Sequence, residues 1–195
     1  MNLDDPTSAT LAIAAALERA GISAAVYGGM ALAAYGEPRE TKDADFAVAG
    51  VSTQGARDAL LAASLDPKLS FERVRFGGNL ITRFALLGSG ETSGFNVVDL
   101  VEPRSARYAR GVFDRVLEGP LRDRTVRIVS PEDFVVLKVL STRDRDLEDA
   151  ASVVRSVGER LDLGWLTAEL EQIALELPDH EVAARARRVL GVSNP

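Results

Sequence analysis

A short apolar run that ends in two adjacent glycines and passes at once into a helix-forming run limits this chain more than any other feature. Residues 23–36 read SAAVYGGMALAAYG. SAAVY has the length and composition of a buried strand, Gly28 and Gly29 break it, and MALAAY continues as a helix up to Gly36. Such a turn exposes backbone N–H groups at the positive end of a helix with no side chain in the way, and so suits an anion. Taken alone it is also an ordinary tight turn.

The rest of the chain falls into place around it. A helix over ATLAIAAALERA, capped by Thr7 or Ser8, stops at Gly21. DADFAVAG reads as a strand and TQGARDALLAAS as the helix returning from it. Residues 71–87 alternate as two strands about Gly77-Gly78, FNVVDLVE is another strand, and RTVRIVS is the last. The arginine-rich residues between Pro103 and RTVRIVS give no clear pattern. Ser130, Pro131, Glu132 and Asp133 open a long helix over residues 131–158, and two more follow around LTAELEQIALEL and EVAARARRVL. The expectation is an α+β fold, a small mixed sheet with helices first interleaved and then bunched at the C-terminus. Residues 1–129 form the core and residues 130–195 a helical region packed on it as one unit.

Composition removes whole classes of chemistry. The 195 residues include no Cys and a single His, His180, read as a surface residue near a helix start. Thiolate metal sites, cysteine nucleophiles and most hydrolase triads are excluded, leaving Asp, Glu, Lys, Arg, Ser and Thr, a set that suits hard, oxygen-liganded metals such as Mg2+. No apolar run reaches the roughly 18 residues of a membrane span, and MNLDDPTSAT is acidic where a signal peptide is basic, so the expected location is cytoplasmic. The net charge of −6 is uneven: residues 71–127 hold 10 arginines against 7 acids, which is either a solvated surface or a phosphate-binding stripe.

Asp43 and Asp45 stand at i and i+2 where a strand begins, so both carboxylates face one side and repel unless a cation lies between them. Asp99 interrupts the apolar strand NVVDLVE, where a carboxylate is costly unless paired or coordinated. If the two strands are neighbours, three carboxylates converge as ligands for one or two Mg2+ ions on nucleotide phosphates. On one continuous helix Arg145 and Asp149 lie within about 20° of the Lys138 direction, and Asp146 about 80° away. Lys138, set among apolar residues, then either reaches to water or binds phosphate.

Together these residues resemble the nucleotidyltransferase superfamily (the polymerase-beta-like fold), and within it the AbiEii/MenT-like toxins. The matching parts are Gly28, Gly29 and Ala31; Gly36, Arg39 and Thr41; Asp43 and Asp45; Asp99; Lys138; and Asp146 with Asp149. Aminoglycoside nucleotidyltransferases share the first half of this order, and LK followed by RDRDLEDA favours the toxin-like branch. The resemblance implies that Gly28 and Gly29 hold the triphosphate of an NTP and that Asp43 and Asp45 bind Mg2+. It makes Asp99 a third ligand or the base, and gives Lys138 a phosphate contact with Asp149 orienting it. Arg39, Thr41 and Asp146 lie beside the nucleotide. An acceptor hydroxyl attacks the α-phosphate and pyrophosphate leaves. The implied acceptor is the 3′ end of tRNA, which would block translation, with a cognate antitoxin as partner. The alternatives are transfer to a small molecule such as an aminoglycoside, or an inactive binding module.

Overall fold

A computed structural model describes residues 1–191. Helix α1 (Pro6–Arg19) begins earlier than its sequence suggests, because Asp5 rather than Thr7 or Ser8 is the cap and accepts from the Thr7 N–H. It buries Ala9, Ile13, Ala16 and Leu17, a helical stripe, against the sheet layer and ends as Gly21 turns left-handed at φ +68°. Strand β1 (Ala24–Tyr27) runs straight into α2 (Gly28–Tyr35) at the two glycines. Then follow β2 (Ala44–Val48), α3 (Thr53–Ala62), β3 (Leu65–Phe76), β4 (Asn79–Gly88) and β5 (Phe95–Pro103).

The ambiguous arginine-rich stretch resolves into α4 (Ala106–Gly111), a short 3-10 turn and β6 (Leu117–Leu121). Strand β6 pairs antiparallel with β7 (Arg124–Ile128). Sequence gave no sign of it because Gly119 and Pro120 break the β pattern, and Pro is tolerated here on an outer strand. The seven strands form one mixed sheet in the order β3-β4-β5-β2-β1-β7-β6. Strand β2 sits at its centre, parallel to β5 and antiparallel to β1. The strands of Asp43 and Asp99 are therefore neighbours, which meets the condition set for the carboxylates to converge.

The long helix is two helices, α5 (Pro131–Val139) and α6 (Asp144–Val157). The carbonyls released at the break are taken by partners distant in sequence. The Gly78 N–H donates to Leu140 at 2.8 Å, Asn79 to Leu137 at 3.1 Å, and Arg185 to both Val139 at 2.9 Å and Arg143 at 3.1 Å. The angular argument over an unbroken helix consequently fails for Asp146, placed about 80° off and yet the carboxylate nearest to Lys138, at 2.6 Å, while Asp149, placed in line, does reach Lys138 at 3.0 Å. Helices α7 (Leu163–Glu176) and α8 (Val182–Leu190) close the chain, and one contiguous apolar cluster runs from α1 through the sheet to α8.

The arginine-rich middle is not a free basic stripe. Arg73, Arg75, Arg83, Arg104, Arg107, Arg115 and Arg122 all pair with carboxylates. Arg104 and Arg107 reach Asp179, Glu169 and Glu176, so they fasten the sheet side to the C-terminal helices. His180 is not a free surface residue either. It lies half-buried against the Gly77 turn, where a Cβ on Gly77 would come within 2.7 Å of its ring.

Candidate active site

A cleft of about 430 Å3 opens over the edge where β1, β2, β4, β5 and the α5–α6 junction meet. It brings together Gly28, Arg39, Thr41, Asp43, Asp45, Asp99, Lys138 and Asp146 of the residues expected from sequence. Gly29 and Asp149 stand one contact behind it. Asp149 holds Arg39 through a fork at 3.1 Å from both Nε and Nη2, and forms an ion pair with Lys138 at 3.0 Å.

The two glycines explain themselves by what presses on them. Gly28 has φ +61°, and a Cβ there would fall 1.9 Å from Oδ2 of Asp45. A Cβ on Gly29 would fall 2.6 Å from Cβ of Thr41. Both glycines are buried. Their first service is therefore to let Asp45 and Thr41 lie against the start of α2. Gly28→Ala is expected to push the Asp45 carboxylate off its seat while straining the backbone. Stability should fall by about 2 kcal/mol. Urea unfolding checks this, and a variant as stable as the wild type contradicts the close-approach argument.

Register places Asp45 beside Asp99 on the neighbouring strand. Burial, and next the negative charge of Asp99, push the Asp45 carboxyl up to about 7, with Asp43 adding to the effect. Asp99 arrives where expected, but both its oxygens are engaged: Arg83 Nε donates to Oδ1 at 2.7 Å and Nη2 to Oδ2 at 2.6 Å. Among the described residues no three carboxylate or imidazole groups stand arranged as a metal cage. Asp43 and Asp45 nonetheless fit a divalent cation, as two hard oxygen donors lining one cleft, one of them short of positive charge.

Lys138 is 2% exposed and lies between carboxylates and rings. Its Nζ is 2.6 Å from Asp146, 3.0 Å from Asp149, and 5.3 Å and 5.5 Å from the ring centres of Tyr27 and Phe134. Burial alone would raise the Asp146 carboxyl. The Lys138 charge and hydrogen bond, with Ser141 and Arg143, outweigh it and hold the carboxyl below its ordinary value. Sequence reasoning missed Arg83, Lys42 and Arg143 as site residues, which with Arg145, already aligned with Lys138, add positive charge to the cleft. The available signal for Arg83 was the hairpin about Gly77-Gly78, which sets it opposite Asp99 once β4 and β5 are paired.

Comparison with solved structures matches this architecture. A nucleotidyltransferase-like antigen from Paracoccidioides brasiliensis superposes with a TM-score of 0.51 at 19% identity, over 95% of this chain and 93% of that one. The antibiotic-resistance factor ANT(2″)-Ia matches in solution with a TM-score of 0.57 at 17% identity, over 89% and 95%. Its crystal structure with adenylyl-2″-tobramycin matches with 0.52 at 15%, over 84% and 95%. No protein-family profile and no curated protein matches the chain by sequence. The chain thus has the nucleotidyltransferase fold, an α+β arrangement of a mixed seven-stranded sheet and, among the described residues, eight α-helices. Among them no helix is long and apolar enough to cross a membrane.

Proposed function

We propose that the protein is an NTP-dependent nucleotidyltransferase that moves NMP to the 3′ end of tRNA, releases pyrophosphate, and acts as a toxin restrained by a cognate antitoxin. The observation that carries nucleotidyl transfer is the Asp45 carboxyl, seated on Gly28, level with Asp99 and pushed up to about 7. Burying carboxylates this close is unfavourable without a cation, and a metal-bound triphosphate supplies one. Mg2+ held by Asp43 and Asp45 would offset charge on the phosphates. The acceptor oxygen attacks the α-phosphorus as the bond to the β-phosphate breaks, and this chain positions the partners and neutralises charge. Arg39, anchored by Asp149, and Thr41, packed on Gly29, border the same cleft.

The tRNA acceptor is supported by the order of motifs and by Lys42 and Arg145, exposed cations of the cleft with no carboxylate partner among the described residues, which attract a phosphate chain. The likeness to ANT(2″)-Ia favours a second reading, transfer to a small antibiotic. Incubation with Mg2+, each labelled NTP, and either total tRNA or aminoglycosides separates them. Label is expected on tRNA 3′ ends and absent with Asp43→Ala. Unlabelled tRNA beside a labelled aminoglycoside establishes the second reading, and no transfer with any NTP removes both.

A further inference from the structure

Strand pairing lays Phe71, Arg83, Asp99, Asp45 and Tyr27 in one line across β3, β4, β5, β2 and β1. Residues directly opposite in a sheet share a face. Arg83 stands in this line between Phe71 and Asp99 as a fixed cation. Two of its nitrogens are spent on Asp99 in a fork at 2.7 Å and 2.6 Å, and its guanidinium carbon lies 5.4 Å from the ring centre of Phe71. Its third nitrogen, Nη1, has no hydrogen-bond partner among the described residues, while the side chain lines the cleft and is 35% exposed. The Asp99 hydrogen bonds hold the guanidinium charge in place, and the fields of Asp43 and Asp45 reach it.

We propose that Arg83 binds the phosphates of the nucleotide and that Asp99 is its positioning residue, leaving the metal to Asp43 and Asp45. This rests on the nucleotidyl-transfer reading and assigns Asp99 neither of the roles the resemblance implies. Each Asp99 oxygen already accepts one charge-assisted bond of the fork, and the guanidinium charge beside it weakens the carboxylate as a metal ligand or a base. A guanidinium held on one edge by a carboxylate and on its face by a ring has little freedom left to lose on binding a phosphate, which is what makes such an arginine effective. A cross-strand pair serving stability alone needs no free nitrogen at a cleft lined with carboxylates.

The test uses the full chain and two ligands separately: Mn2+ alone, and α,β-methylene analogues of the four NTPs with Mg2+, both by calorimetry. Asp99→Asn keeps an oxygen for Arg83 and is expected to leave Mn2+ affinity within about twofold, while Asp45→Asn lowers it at least about tenfold. Arg83→Met is expected to weaken the tightest-binding analogue at least about tenfold without weakening Mn2+. Arg83→Lys, which keeps the charge and loses the fork, replaces it if the methionine variant unfolds, and should still lose most of that affinity. The proposal is overturned if Asp99→Asn costs as much Mn2+ affinity as Asp45→Asn, or if analogue binding survives both Arg83 changes. Failure of the underlying reading shows differently, as Asp45→Asn leaving Mn2+ and analogue binding untouched.

Discussion

Lys138→Met is expected to destabilise the protein by about 3–5 kcal/mol, more than any other single change at the site. The lysine is fully enclosed, and its ammonium is the shared partner of Asp146 and Asp149. A methionine fills the same space without a cavity, so the loss reports charge rather than volume. Asp146 keeps Ser141 and Arg143, and Asp149 keeps Arg39, but each is left with one unmatched direction in a buried setting. The measurement is the urea midpoint at pH 7, with Asp146→Asn made alone and in combination. Coupling between the two changes should exceed about 1 kcal/mol. A loss below about 1 kcal/mol with transfer abolished would instead make Lys138 the phosphate contact that the resemblance implies.

Lys138 marks where sequence stops being informative. The strand-turn-helix at Gly28-Gly29 and the hairpin about Gly77-Gly78 were legible because each is set by local pattern and short connections, whereas the Asp45–Asp99 neighbourhood, across α3, β3 and β4, stood in the sequence only as a condition. The break between α5 and α6 was not, since residues 131–157 propagate a helix well and the interruption comes from Gly78, Asn79 and Arg185 competing for carbonyls. Arg185 illustrates the limit. Beside Arg187 and Arg188 it reads as part of a basic surface cluster, yet it is buried and serves α5 from 46 residues away. The arginines of residues 71–127 pose the same problem: charge is visible in a sequence, but its partners Asp99, Asp133, Glu169, Glu176 and Asp179 are chosen by the tertiary fold.

Asp45→Asn should remove nucleotidyl transfer, by at least about a hundredfold, and at the same time stabilise the protein without ligands above neutral pH. Asp45 titrates at about 7 when folded against 3.8 ordinarily. Below pH 4 the carboxyl is neutral in both folded and unfolded chains and contributes nothing adverse. Between 4 and 7 the unfolded chain has released a proton that the folded chain retains, so raising the pH costs stability progressively, and the full cost stands above 7. Asparagine has no such cost. Allowing for the partly exposed edge of the carboxyl, its advantage at pH 8 is about 1–2 kcal/mol, or about 3–6 °C in melting temperature, and vanishes at pH 4. Adding Mg2+ with a nucleotide should reverse the order, raising the wild-type melting temperature and leaving the variant unmoved. Equal melting temperatures at pH 8 would mean that Asp45 sits comfortably among its neighbours, and the charge argument for a cation at this cleft would lose its basis.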